Sequence, residues 1–232
     1  MIRFNDILEQ VAAYNPQADL DFLKKAYVFS AKVHQGQVRL SGEPYLIHPL
    51  EVAHTLVNLQ LDTASVVTGL LHDVLEDTFT TVEELRENFG EEIAHLVDGV
   101  TKISKITLTT SEEEDQAENF RKMILAMVKD IRVILVKLAD RVHNMRTLQY
   151  QLPSKQKTIA QETLDIYSPL ANRLGIDWIK NELEDLSFQY LHPNIYNDIK
   201  GKIAKKEKER ERYIEEVKRI ITKKLFEYKI EA

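Results

Sequence analysis

A chain of 232 residues is long enough for one large domain, or for one domain with an appendage, and can bury a sizeable core. Its 44% hydrophobic and 29% charged residues are ordinary for a soluble globular protein, and the absence of cysteine excludes disulfides and thiolate metal sites. The net charge of −6 is uneven: residues 200–232 hold 12 basic against 7 acidic side chains, the remainder 19 against 30. An acidic body does not suit a general nucleic-acid binder. The alternating signs of Lys205–Arg212 fit a solvated helix or, less well, an RNA contact. The N-terminus, MIRFNDILEQ, has no apolar signal core and no run reaches membrane-spanning length, so a cytoplasmic protein with no membrane partner is expected.

Glycine (7) and proline (6) are scarce, and alternating strand-like runs are nearly absent. Helical periodicity dominates, which predicts an all-α fold. The first helix covers about 4–14 and ends before Asn15-Pro16. The second covers about 21–34, with Gly36 as its stop. Gly36, Gly42 and Pro44 forbid a helix from Gln35 to Tyr45. Arg39 and Ser41 lie in this loop; they either grip phosphate oxygens or decorate a surface. His48-Pro49 opens the third helix, because proline is favoured at the first helical position, and this puts His48 at or beside the cap. A histidine fixed there is a ligand or a capping residue.

A helix capped by Asp62 is predicted over 63–76. Its end, Leu70-Leu-His-Asp-Val-Leu-Glu-Asp-Thr78, holds His72, Asp73, Glu76 and Asp77 at i, i+1, i+4 and i+5. On a continuous helix these fall within roughly 140° of its circumference. Val66, Val67, Leu70, Leu71, Val74 and Leu75 imply burial, and buried carboxylates need a cation or hydrogen bonds. Without cysteine, any metal uses imidazole and carboxylate, a set that suits Mn, Fe, Zn or Mg.

Thr81-Val-Glu-Glu84 is a capping box opening a short helix to about Asn88, which Gly90 separates from a helix over 91–103. A polar linker over 106–115 leads to a helix over 113–128. In the helix from Ile131 to about Leu148, Asp140, Asn144 and Thr147 form one stripe flanked by Arg141 and His143. Buried polar groups in line need partners, either an internal network or a bound ion and substrate. Helices over 154–173 and 177–191 follow. A charged helix from about Asn194 to Lys229 carries the stripe Ile214, Val217, Ile220, Ile221 and Leu225.

The pattern His48, His72-Asp73, Asp140 resembles the HD-domain metal-dependent phosphohydrolases. Arg39-Leu-Ser-Gly-Glu-Pro-Tyr-Leu-Ile-His-Pro49, His72-Asp-Val-Leu-Glu-Asp-Thr78 and Lys137-Leu-Ala-Asp-Arg-Val-His-Asn-Met-Arg-Thr147 resemble the hydrolase domain of RelA/SpoT-type proteins. Tyr167-Ser-Pro-Leu-Ala-Asn-Arg-Leu-Gly-Ile176 and Glu182-Leu-Glu-Asp-Leu186 extend the likeness over nearly all of residues 20–195.

The resemblance implies an HD-type helical bundle that hydrolyses (p)ppGpp at its 3′-diphosphate. It implies His48, His72, Asp73 and Asp140 as ligands of Mn²⁺, and Glu76 with Asp77 as the acidic pair that activates water. It implies Arg39, Ser41, Asn144 and Thr147 as substrate contacts. Leu40 stands where many relatives carry a basic residue, which implies weaker affinity rather than altered chemistry. A different HD nucleotide phosphohydrolase and a non-catalytic regulatory module are the alternatives. Long members of the family continue into synthetase and regulatory domains. No synthetase motif is present here, so the chain resembles their N-terminal part, with a hydrolase domain over 1–195 and a charged linker over 196–232. Downstream domains are the expected partners beside guanosine tetra- or pentaphosphate, and ribosome contact is expected only through domains outside this sequence.

Overall fold

The computed structural model describes residues 2–104 and 130–227. All regular elements among them are helical; the one extended pairing is an isolated bridge between Val38 and Pro44. The all-α expectation therefore holds. The expected linker over 106–115 and helix over 113–128 lie outside the described residues.

The chain divides into two units, Met1–Ser187 and Phe188–Ala232. In the first, α1 (Phe4–Tyr14), α2 (Leu20–Val33) and α3 (Ile47–Asn58) lead to α4 (Thr63–Leu71) and the single turn α5 (Val74–Asp77). Then come α6 (Val82–Ser104), α7 (Ile131–Arg146), α8 (Pro153–Glu162), α9 (Ser168–Arg173) and α10 (Asp177–Leu191), the last of which runs past the division. Gly90, at φ 86°, separates two helical stretches inside α6, as the sequence predicts.

Helix α4 is the centre of the first unit and packs against α2, α3, α6 and α7. Every residue from Ser65 to Leu71 is buried. A helix that is apolar on all sides belongs inside a bundle, because no face of it gains from water. Its polar groups are satisfied locally: the Asp62 carboxylate accepts from the Ser65 N–H at 3.0 Å, and Thr68 Oγ1 donates to the Ala64 carbonyl at 2.7 Å. Gly69 lets α3 come close, since a Cβ there would lie 2.5 Å from Leu56 Cδ1 and 3.4 Å from Ala53 Cα.

Three local expectations are corrected. The helix predicted over 63–76 is not continuous; it breaks at His72-Asp73, where Asp73 has φ −109° and ψ −1°. Neighbouring side chains on a helix diverge by about 100°. The break lets both residues turn inward, so that His72 is 4% and Asp73 6% exposed. Glu76 and Asp77, on α5, are exposed rather than buried. His48 is not a cap: Leu46 is, and Pro49 is the third residue of α3. No N–H in a first turn has an intrahelical partner, so proline is tolerated there too. The helix predicted over 154–173 contains a π turn, Thr163–Tyr167, just before Ser168-Pro169. Pro169 has no N–H for the carbonyl four residues back, and the wider turn absorbs that loss.

The second unit is mainly α11 (Pro193–Glu227). Along it Ile214, Ile220 and Ile221 of the expected stripe are exposed, and Lys202 pairs with Asp198 one turn away at 2.7 Å.

The close approach at Gly69 is testable. Gly69→Ala should lower stability by about 1–3 kcal/mol, because the added methyl overpacks the α3–α4 contact. Urea unfolding followed by circular dichroism measures it; an unchanged midpoint would show that Leu56 moves aside freely.

Candidate metal centre and adjoining cleft

Three elements converge on one buried point. The first turn of α3 supplies His48, the end of α4 supplies His72, and α7 supplies Asp140. Ligand atoms of these three lie within 4.8 Å of one another. His48 Nε2 is 3.2 Å and His72 Nε2 3.8 Å from Asp140 Oδ1. His72 Nδ1 lies 2.9 Å from the Gly69 carbonyl, which can only accept. Nδ1 therefore carries a proton, and Nε2 faces the cluster.

Asp140 is held from two further sides. Asn144 Nδ2 donates to Oδ1 and Lys137 Nζ to Oδ2, both at 2.6 Å. Burial opposes its charge, but Lys137, His48 and His72 hold its carboxyl well below the usual carboxylate range. His48 moves the other way, pushed down chiefly by burial. It is accordingly a neutral ring, the form a cation needs.

Asp73 lies beside this group. Its Oδ2 is 3.9 Å from His72 Nε2, and its Oδ1 is 3.3 Å from Nε2 of the buried His34. Burial again opposes ionisation, and His72, His34 and His48 overcome it, so the carboxyl stays below its ordinary range. Yet both buried oxygens lack a hydrogen bond among the described residues. Such atoms are costly to leave unsatisfied. Two imidazoles and two ionised carboxylates, one with orphaned oxygens, fit a divalent cation.

The pocket over this cluster measures about 260 Å³, and Glu76 and Asp77 also line it. The Tyr45 hydroxyl donates to Asp77 Oδ2, and Gln37 Nε2 donates to the Asp77 carbonyl at 2.9 Å. A second cleft, about 700 Å³, is lined by Arg39, Ser41, Asn144 and Thr147 together. Arg39, Tyr45, Arg141, Asn144 and Glu162 border both spaces, so the two adjoin. Arg39 Nη2 donates to Asn144 Oδ1 at 3.1 Å, which ties the loop to α7. Ser41 Oγ donates to Glu43 within the loop, at 3.1 Å. Thr147 ends α7, with its hydroxyl on the His143 carbonyl at 3.0 Å.

Several site residues have no role in the sequence reading. Tyr45, Lys137, His143 and Tyr167 sit inside its motifs but nothing in their spacing distinguishes them. Tyr45 stacks on His34, with ring centres 4.4 Å apart. Burial pushes the Tyr45 phenol up, and Asp73 and Asp77 push it further. Arg141 lies over the Tyr167 ring at 4.0 Å and holds Glu162 through both terminal nitrogens, at 3.0 and 3.2 Å. His34 and Glu162 lie outside the motifs, and only the fold brings them in.

Residues 26–177 match the HD domain family. The chain belongs to that family. Among curated relatives, the chain is 65% identical over 219 residues to a GTP pyrophosphokinase of Myxococcus xanthus, covering 94% of the chain and 29% of the relative. It is 50% identical over 200 residues to the bifunctional (p)ppGpp synthase/hydrolase SpoT of Escherichia coli K12, covering 86% and 28%. It is 54% identical over 192 residues to a guanosine-3′,5′-bis(diphosphate) 3′-pyrophosphohydrolase of Haemophilus influenzae, covering 83% and 28%. The chain thus spans less than a third of the length of these relatives. A solved metazoan protein, described as an ortholog of SpoT that hydrolyzes ppGpp, aligns over 72% of this chain and 93% of its own, at 25% identity and a TM-score of 0.49.

The cation fit of this HD domain has a direct check. A divalent ion at about 100 times its Kd should stabilise the metal-stripped chain by about 2.7 kcal/mol, roughly 5–10 °C in Tm. Asp140→Asn should abolish that shift. Scanning fluorimetry over Mn²⁺, Zn²⁺ and Mg²⁺ measures both; no shift with any ion would refute the fit.

Proposed function

We propose that this HD domain is a Mn²⁺-dependent 3′-pyrophosphohydrolase of (p)ppGpp, releasing GDP or GTP and pyrophosphate. The observation that carries it is a pair of adjoining pockets. A His-His-Asp group and two rim carboxylates line one, two hydroxyls line the other, and an arginine and a carboxamide border both. The named activities of the relatives supply the substrate.

In this reading His48, His72, Asp73 and Asp140 would hold the metal, which when bound would supply Lewis acidity toward the 3′-diphosphate. Arg39 and Ser41, on one loop, meet the phosphates, and Asn144 and Thr147 face the nucleoside. Glu76, with Asp77 beside it, takes the proton of the attacking water. The water oxygen bonds to the phosphorus on the ribose 3′-oxygen. The P–O3′ bond breaks, O3′ takes up a proton, and pyrophosphate leaves. Tyr45 fixes the direction of Asp77 through its hydroxyl.

Residues 1–195 are the proposed hydrolase, with 196–232 leading toward a synthetase and regulatory domains. Those downstream domains are its proposed partners, in a cytoplasmic protein that meets the ribosome only through them. Among the described residues no helix is long and apolar enough to cross a membrane.

The metal-stripped protein, incubated with ppGpp, should yield GDP and pyrophosphate by ion exchange only when Mn²⁺ is added. Glu76→Gln should lower kcat by about 100-fold or more while retaining Mn²⁺. Wild-type protein that binds Mn²⁺ without turnover would overturn the reading. Leu40 borders the larger cleft and is 70% exposed. Leu40→Arg should lower KM for ppGpp by up to about fivefold with kcat unchanged, the scale of one exposed ion pair. Steady-state kinetics at fixed Mn²⁺ checks this.

A further inference from the structure

We infer that His143 is a positioning residue of the metal centre, fixing the orientation and tautomer in which His48 offers its Nε2. The inference rests on the metal reading above and gives a function to a side chain outside the proposed ligand set.

His143 lies on α7, one turn after Asp140, and is 6% exposed. Its Nδ1 is 2.8 Å from Nδ1 of His48, with ring centres 4.8 Å apart. Two imidazole nitrogens at that distance share one proton: one donates and the other accepts. Two arrangements satisfy this. In the first, His48 carries its proton on Nδ1 and donates to His143, which carries its own on Nε2. In the second, His143 donates, and the His48 proton is on Nε2, facing Asp140 Oδ1 at 3.2 Å. Only the first leaves the His48 Nε2 lone pair for a cation.

The contrast with His72 shows why the partner matters. His72 Nδ1 faces the Gly69 carbonyl, an obligate acceptor, so its tautomer follows from the backbone. His48 instead faces a group that can donate or accept, so its tautomer depends on which form His143 takes. A second-shell partner of this kind also sets the ring plane of its ligand. Because α7 carries both Asp140 and His143, one helix sets two members of the cluster: Asp140 directly, and His48 through its ring.

Two replacements and one spectrum test this. In His143→Gln a side-chain carbonyl can still accept from His48 Nδ1; His143→Leu keeps comparable bulk without an acceptor. Calorimetric titration of metal-stripped protein with Mn²⁺ should show the Leu variant binding roughly 10–100-fold more weakly, with the Gln variant within a few-fold of wild type. Circular dichroism checks that each variant folds. Leu binding as tightly as wild type would overturn the inference while leaving the metal reading intact. Wild type that binds no Mn²⁺ would overturn the metal reading, and the inference with it. Nitrogen-15 imidazole NMR of the wild type with diamagnetic Zn²⁺ keeps the test independent of the variants. It should place protons on His48 Nδ1 and His143 Nε2; a proton on His48 Nε2 in the loaded protein would overturn the inference.

Discussion

Two carboxylates have to stay charged inside an apolar bundle, and much of the architecture answers that demand. Asp140 is 4% and Asp73 6% exposed. An isolated ion at such depth would be neutralised by taking a proton. Asp140 avoids this with an ammonium on one oxygen and an amide on the other, both reached within one turn of its own helix. Among the described residues, Asp73 has no lysine or amide on its carboxylate; the groups that favour its charge are the imidazoles of His72, His34 and His48. The two are therefore satisfied to different degrees. Asp140 is ready-made within α7, while Asp73 waits with two unbonded oxygens.

That difference explains the break between α4 and α5. A helix continued through His72 and Asp73 would aim them about 100° apart. Inside a central helix buried on every side, one of the two would then press into aliphatic packing. Interrupting the helix brings His72 toward α3 and α7 and Asp73 toward His34 at the end of α2, and restarting it as one turn sends Glu76 and Asp77 to the rim. The same two-residue interruption thus sets a buried ligand cluster beneath a pair of exposed acids that line the same pocket. A cation needs the first, and proton exchange with water needs the second.

Much of this was legible in the sequence, and the failures share a cause. The helices, the Asp62 cap and the Gly90 break follow from local rules, and the convergence of His48, His72 and Asp140 was expected from the family resemblance. The interruption at His72-Asp73 does not. Leu70 to Thr78 contains no glycine or proline, so its periodicity reads as helix throughout; the break comes from tertiary demand on two polar side chains. His34 and Glu162 were invisible for a related reason. A lone histidine at a helix end and a glutamate on a polar helix look like surface until α2 and α8 are packed in place. His143 was visible only as one more polar residue flanking a stripe, because its partner is 95 positions away. The proline that widens the turn at Thr163–Tyr167 was in plain view, yet its effect depends on how the preceding helix is held.

The charge of the site can be argued one step further. The chain is acidic overall, at −6, whereas the proposed substrate is a polyanion. Of the two arginines that line the clefts, Arg141 is already paired with Glu162. Arg39 differs, since its hydrogen-bond partner is the neutral amide of Asn144. That contact orients the guanidinium without cancelling its charge. It also links Arg39 through Asn144 to Asp140, so that the loop, α7 and the ion pocket form one hydrogen-bonded sequence. A phosphate drawing on Arg39 therefore acts on the same amide that steadies Asp140. Charge at the mouth of the cleft and order at its floor are coupled through one carboxamide, and a single asparagine makes that coupling. A leucine or alanine at 144 would leave the arginine its charge but not its direction, and would leave Asp140 with its lysine alone as hydrogen-bond donor on α7.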